Sequence, residues 1–131
     1  MHRRFLPIVL LLLIAGCSPP SDYVSIAPPK DAWFETEVTS QPIPVLVDFN
    51  ASWCGPCRML KPFLEQMEKE HEGKVKVVPI DVDARNDLAE HYKVRALPQL
   101  LMMKSGKVVA SLRGAPDSYE ALMEWAGPHI K

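Results

Sequence analysis

Two cysteines, Cys54 and Cys57, lie three positions apart in the stretch ASWCGPCRML, residues 51–60. A pair at this spacing can supply half of a metal site, form a structural disulfide, or cycle between a dithiol and a disulfide. A zinc site usually needs four ligands. Nothing in the sequence completes one, because Cys17 belongs to an N-terminal apolar segment and the histidines are too scattered to form a metal-binding pair. We therefore expect no metal.

The choice between the other two functions depends on the local sequence. A structural disulfide between Cys54 and Cys57 would close a very small ring, for which the stabilisation from loop closure is smallest. Cys54 stands at the predicted start of a helix, whose backbone N–H groups and dipole favour the thiolate form of its sulfur. Cys57, one helical turn later, can attack a mixed disulfide formed at Cys54, and Pro56 stiffens the turn between them. The pattern therefore favours a redox-active dithiol.

Hydrophobic patterning predicts the elements around this pair. The run PVLVDFN, residues 44–50, is almost continuously apolar, as expected for a central strand buried on both faces. After the cysteines, apolar residues recur at helical spacing; Pro62 should kink this helix and Gly73 should close it. The other predicted elements are a helix in DAWFETEV, a strand in KVKVVPIDV, a helix in NDLAEHYKV, a hairpin of PQLLMMK and KVVASLRG, and a helix starting at Asp117, with Glu120 at capping-box spacing. This order predicts an α/β domain with one mixed sheet covered by helices.

The segment VLVDFNASWCGPC closely resembles the active-site strand and motif of thioredoxins. DAWFETEV, Pro62, IDVD, YKVRALPQLL, SGKVV and RGA follow in the order and spacing of the same family, so the resemblance covers roughly residues 22 to 131. It implies the thioredoxin fold, a central mixed β-sheet flanked by helices. It also implies that Cys54 is the attacking thiol and Cys57 the resolving thiol.

Asp48 interrupts the apolar strand, and burial there should raise the pKa of its carboxyl group. From the strand alone, a carboxylate that reaches solvent at the strand end is the simpler interpretation. The resemblance implies instead a catalytic proton relay, in which Asp48 takes the proton of Cys57 through a water molecule.

The resemblance also implies a substrate-binding surface around the cysteines. Pro98 matches the family's cis-proline, a geometry that the sequence alone would not predict because cis X-Pro bonds are rare. Backbone beside it would pair with an extended client segment. For Leu97 and Gly114 the alternatives are core packing and a turn. The complete predicted surface is Trp53, Gly55, Pro56, Leu97, Pro98 and Gly114.

Two residues depart from the family pattern near Asp48. Asn50 stands where thioredoxins usually carry a second tryptophan, and Pro79 stands where many carry a lysine. The loss of that lysine removes a positive partner of Asp48, so the pKa of Asp48 is expected to differ from the family norm. The surface that a cytosolic thioredoxin reductase would contact is also altered.

The N-terminus predicts export and anchoring. The basic segment MHRR precedes the apolar run FLPIVLLLLIAG, which has the length of a signal-peptide core and is short for a membrane span. Residues 14 to 17, IAGC, resemble the lipobox of bacterial lipoproteins, in which the cysteine is lipidated; an ordinary signal peptide is the alternative. We predict a signal peptide at 1–16, a lipidated Cys17 with a proline-rich tether to residue 30, an edge strand at 23–26, and a thioredoxin domain at 31–131.

Composition and charge limit the partners. The chain has 131 residues, 47% of them hydrophobic, and a formal net charge of −1 with both signs interleaved, so we expect no nucleic-acid binding. We expect a monomer without a cofactor that faces the periplasm, reduces client disulfides and receives electrons from a membrane thiol reductase. The alternatives are a disulfide donor and a docking module without redox activity.

Overall fold

The computed structural model describes Tyr23 and residues 26–130. The predicted signal peptide, Cys17 and most of the predicted tether lie outside these residues. Within the described part of the chain, no helix is long and apolar enough to span a membrane. The elements are α1, Ala32–Phe34, continued by a π-helical segment, Glu35–Thr39; β1, Val45–Asn50; α2, Gly55–Glu70; β2, Lys76–Asp81; α3, Asn86–His91; β3, Gln99–Lys104; β4, Lys107–Arg113; α4, Tyr119–Ala126; and a 3-10 turn, Gly127–His129.

The four strands form one mixed sheet in the order β2-β1-β3-β4. β1 runs parallel to β2 and antiparallel to β3, and β3 pairs with β4 in the predicted hairpin. The two central strands, β1 and β3, are buried along their first five residues. Their apolar sequences explain this position, because both faces of a central strand are covered. The predicted α/β class, with a mixed sheet flanked by helices, is therefore confirmed.

Alternation along β1 divides the core between the two faces of the sheet. Val47 and Phe49 pack with Phe34 of α1 and Tyr92 after α3. Leu46 packs on the opposite face, together with Leu60, Leu64 and Met67 of α2 and Leu122 of α4. Asp48 is two residues after Leu46, so it lies on the α2 face, where the cysteine-bearing helix begins.

The start of the last helix differs from the prediction. α4 begins at Tyr119, and its N-cap is Ser118, whose hydroxyl accepts the N–H of Ala121 at 3.1 Å. Asp117 was the predicted start. Ser118 has the extended backbone of a cap residue, φ −149° and ψ 165°, and serine caps helices as well as aspartate does. Two adjacent cap-forming residues made the boundary ambiguous in the sequence.

Part of the predicted tether packs against the domain. Tyr23 is buried, and its hydroxyl donates to Oε1 of Gln99 at 3.2 Å, while Ile26 packs against the same core cluster. Tyr23 lies in a turn in which the N–H of Ile26 donates to its carbonyl at 3.1 Å. Residues 24–25 of the predicted edge strand lie outside the described part of the chain.

Candidate active site

The two cysteines lie at the N-terminus of α2 and are joined in a disulfide, with their Cα atoms 5.3 Å apart. Cys54 is the N-cap of the helix, and its Sγ accepts the N–H of Cys57 at 3.3 Å. Both residues are almost fully buried, with exposed fractions of 5% and 6%. When the disulfide opens, the same N–H group and the positive end of the helix dipole stabilise a thiolate at Cys54.

Asp48 is buried on the α2 face of the sheet, 6% exposed. Its Oδ2 accepts a hydrogen bond from Nδ2 of Asn50 at 3.2 Å, and its Oδ1 has no hydrogen-bond partner among the described residues. Burial raises the pKa of Asp48 to about 6, and the hydrogen bond from Asn50 partly offsets that rise. The predicted rise is confirmed, and a carboxylate that reaches solvent at the strand end is not what the structure shows.

Asp48 and Cys57 line the same cavity, which has a volume of about 450 Å³. Asn50 and Pro79, the two departures from the family pattern, line it as well. Such a cavity is large enough for several water molecules, and Asp48 offers them a hydrogen-bond acceptor. The shared cavity therefore places Cys57 near a carboxyl group whose pKa, about 6, suits proton exchange near neutral pH.

A separate groove of about 440 Å³ lies on the Cys54 side of the disulfide. Four of the six residues predicted to bind substrate line it together with Cys54, namely Trp53, Gly55, Pro56 and Leu97. Trp53 is 67% exposed, so its ring presents an apolar surface in the groove that Cys54 also lines.

The peptide bond between Leu97 and Pro98 is cis, as predicted. Leu97 packs against a small cluster of Ala51, Cys54 and Cys57, which places the loop beside the disulfide. Pro98 is buried, and its carbonyl accepts the N–H of Gly114 at 2.8 Å. Pro98 and Gly114, which were also predicted to bind substrate, are not among the residues that line this groove. Gly114 has φ +85°, a backbone conformation that favours glycine.

Sequence reasoning missed several contacts at this site. Nε1 of Trp53 donates to Oδ2 of Asp83 at 2.9 Å, across thirty positions of sequence, and no local pattern indicates this pair. The hydrogen bond from Asn50 to Asp48 could have been predicted from the sequence, because residues two apart in a strand lie on the same face of the sheet. Four charged residues of α2 that line the Asp48 cavity also recur at helical spacing, namely Arg58, Lys61, Glu65 and Glu68.

The described residues form no cluster of metal ligands. Among Tyr23 and residues 26–130, no group of three or more histidine, cysteine, aspartate or glutamate side chains is placed to hold a metal ion.

Comparison with known proteins identifies the family. The family model "Thioredoxin" matches residues 25–127. The chain is 46% identical to the thioredoxin of Haemophilus influenzae over 86 residues, which is 66% of this chain and 80% of that protein. It is 47% identical to thioredoxin C-2 of Corynebacterium nephridii over 85 residues, 65% of this chain and 79% of that protein. A thioredoxin of Rickettsia felis is 36% identical over 100 residues, 76% of this chain and 94% of that protein.

The fold, the disulfide at a helix N-terminus and these matches together define a thiol-disulfide oxidoreductase. The chain belongs to the thioredoxin family, and its Cys54–Cys57 pair is the family's Cys-x-x-Cys motif. The predicted family, fold and enzyme class are confirmed. The individual roles of Asp48 and of the substrate-binding residues stay predictions.

Proposed function

We propose that this protein is a lipid-anchored thioredoxin of the bacterial envelope that reduces disulfides in client proteins. The carrying observation is the combination of the IAGC sequence after a basic and apolar N-terminus with a complete thioredoxin site. Gly55 and Pro56 between the cysteines match the reducing members of the family. The domain faces the periplasm, and several acyl chains on Cys17 hold it at the membrane.

The first step is attack on the client. The thiolate of Cys54 forms a bond to one sulfur of the client disulfide, and the second client sulfur leaves as a thiolate. The groove that Trp53 and Leu97 line accepts the apolar part of the client. The backbone next to Pro98 pairs with an extended client segment, in the manner of strand addition.

The second step releases the client. Asp48, as carboxylate, takes the proton of the Cys57 thiol through water in the shared cavity. The Cys57 thiolate then attacks the sulfur of Cys54, and the remaining client sulfur leaves as a thiol after protonation. The client has gained two electrons, and the protein is left with the Cys54–Cys57 disulfide, which is the state that the structure contains.

Continued turnover requires an electron donor, because a bacterial periplasm is kept oxidising. A membrane thiol reductase that carries electrons out from the cytoplasm fits this requirement. Asn50 and Pro79 change the surface and cavity beside Cys57 relative to the usual family pattern. These differences agree with a donor other than a cytosolic thioredoxin reductase.

The anchor is tested by Cys17→Ala. Wild-type protein should incorporate labelled fatty acid and sediment with membranes, whereas Cys17→Ala should do neither. The purified domains of both forms should reduce insulin at the same rate, because the change is far from the disulfide in sequence. Retention of Cys17→Ala in the membrane fraction would contradict the anchor.

The redox direction is tested by the reduction potential against glutathione, for which about 30 mV corresponds to 1.4 kcal/mol. A potential near that of reducing thioredoxins, about −270 mV, supports the reductant. A potential near that of strong oxidants, about −120 mV, would support the disulfide donor instead. Failure to reduce insulin at all would favour the docking module.

A further inference from the structure

Asn50 occupies an unusual position beside the buried carboxyl group. It is the last residue of β1, is half-buried, and pairs in register with Asp81 of β2. Its Nδ2 donates both to the carbonyl oxygen of Asp48 at 3.1 Å and to Oδ2 of Asp48 at 3.2 Å. Within the described chain it provides the only hydrogen bond to the Asp48 carboxyl group.

We propose that Asn50 is the positioning residue of the proton relay: its amide holds Oδ2 of Asp48 and so fixes the orientation of the carboxyl group beside the cavity that Cys57 also lines. The proposal rests on the relay role of Asp48 stated above. Three observations carry it. These are the two hydrogen bonds from one amide group, the shielding of Oδ1, which leaves Asn50 as the only hydrogen-bond partner of the carboxyl group among the described residues, and the cavity of about 450 Å³ that Asn50, Asp48 and Cys57 share.

The amide affects the charge of Asp48 in a definite direction. A hydrogen-bond donor stabilises a carboxylate more than the neutral acid, so it lowers the pKa, whereas burial raises it. The pKa of Asp48, about 6, is the balance of these two effects. Without the amide the pKa would be higher, and less of Asp48 would be ionised at neutral pH.

The other charged groups near Asp48 make their own contacts. All of those that line the cavity come from α2, because β2 contributes only Val77 and Pro79 and the neighbour of Asp48 on β3 is Leu100. Arg58 donates to the carbonyl of Ser52 at 3.3 Å, Lys61 pairs with Glu65 at 3.8 Å, and Glu68 accepts the N–H of Val77 at 2.8 Å. None of these contacts involves the carboxyl group of Asp48, so Asn50 is its direct protein partner in the described chain.

Replacement of Asn50 by leucine tests the proposal, because leucine keeps the approximate size and removes the donor. The rate at which Cys57 resolves a mixed disulfide between Cys54 and a small aromatic thiol is measured from pH 5 to 8.5. For Asn50→Leu, the midpoint of this profile should move up by about half to one pH unit, the scale of one weak hydrogen bond to a carboxylate. At pH 6 the rate should fall about two- to fivefold.

Two further variants separate this role from a structural one. Gln66→Leu makes the same amide-to-leucine change on the exposed face of α2 and should leave the profile unchanged. In an Asp48→Asn background, Asn50→Leu should no longer move the midpoint, because the group through which it acts is gone. Direct titration of the Asp48 carboxyl carbon by NMR in oxidised Asn50→Leu should show the same upward shift.

The outcomes distinguish this inference from the relay itself. If Asp48→Asn removes the pH dependence but Asn50→Leu leaves both the midpoint and the NMR titration unmoved, the relay stands and the role of Asn50 is wrong. If Asp48→Asn leaves the profile unchanged, both proposals fail. An equal midpoint shift for Asn50→Leu with and without Asp48 would show that Asn50 acts through another group, which also overturns the inference.

Discussion

The two sides of the disulfide offer similar space and different chemistry. The groove on the Cys54 side has a volume of about 440 Å³ and the cavity on the Cys57 side about 450 Å³. Exposed Trp53 and partly buried Leu97 line the first. The second holds a buried carboxyl group and four charged side chains of α2. The difference fits the proposed division of labour, with client binding on the Cys54 side and proton transfer on the Cys57 side.

The two sides also differ in how closely they follow the family pattern. The residues predicted on the Cys54 side are those through which the sequence resembles the family, and the bond before Pro98 is cis as that resemblance implies. On the Cys57 side, Asn50 and Pro79 depart from it, and both line the Asp48 cavity. The properties that set this protein apart from other thioredoxins should therefore concern the release step rather than the capture of clients.

The strongest test of this division of labour removes the sulfur of Cys57. With Cys57→Ser, Cys54 can still attack a client, but no internal thiol expels it, so turnover should fall by roughly a hundredfold or more. Covalent complexes with clients should accumulate and separate on a non-reducing gel. Cys54→Ser is the matched control and should trap nothing. Equal trapping by both variants would contradict the assignment of the two sulfurs.

The second test concerns the cost of burying Asp48. Its pKa is about 6 in the folded protein, against an ordinary value of 3.8. The folded state therefore binds this proton more tightly than the unfolded state does, so the contribution of Asp48 to stability is most favourable below about pH 4 and is lost as the pH rises through about 6. The total loss is about 3 kcal/mol. Asp48→Asn should be more stable than wild type by about 2 to 3 kcal/mol at pH 8, and the difference should nearly vanish at pH 4.

Denaturant unfolding of the oxidised proteins at both pH values measures this difference. A variant that is equally stabilised at pH 4 and pH 8 would show that removal of the charge is not the cause. A variant that is destabilised at both would show that Asp48 contributes packing or hydrogen bonding that asparagine cannot replace.

A third test changes only the groove on the Cys54 side of the disulfide. Trp53→Ala removes the exposed ring and its hydrogen bond to Asp83, so KM for a protein disulfide should rise about tenfold, the effect of losing a partly exposed aromatic contact. The pH midpoint of mixed-disulfide resolution should stay in place, because Trp53 does not line the Asp48 cavity. Trp53→Phe should restore most of the affinity. A shifted midpoint would show that the two sides are not independent.

The smallest expected effect comes from Pro79, which pairs in register with Asp48 across β1 and β2. Pro79→Lys places a positive charge at the edge of the cavity, and a nearby cation favours the carboxylate. The midpoint of the resolution profile should move down by about half a pH unit. Pro79→Gln, which is similarly long and uncharged, should move it much less. An equal shift in both variants would indicate a filled cavity rather than a charge effect.

Much of this arrangement follows from sequence because it depends on local patterns. The apolar run of β1 predicts its central place, and the helical pattern that follows Cys54 and Cys57 predicts their position at a helix start. Asp48 stands out in the β1 run because an ionised carboxyl group is costly to bury.

Other features depend on the packing of separate elements. The cavity forms where residues of β1, α2 and β2 come together, with Asn50 and Pro79 in its lining. The π-helical segment after Phe34 continues a helix that the sequence pattern predicts without its unusual winding. The cap at Ser118 could not be told from one at Asp117, since both residues accept N–H bonds equally well.

The buried position of Tyr23 determines which contacts a force on the N-terminal segment would load first. Its hydroxyl bonds to Gln99, which follows Pro98 and begins β3, a strand paired on both edges. A pull on the chain before Tyr23 would first load the packing contacts of Tyr23 and Ile26, which lie on the face of the sheet opposite α2. The helix that carries the two cysteines would therefore not be among the first contacts to give way.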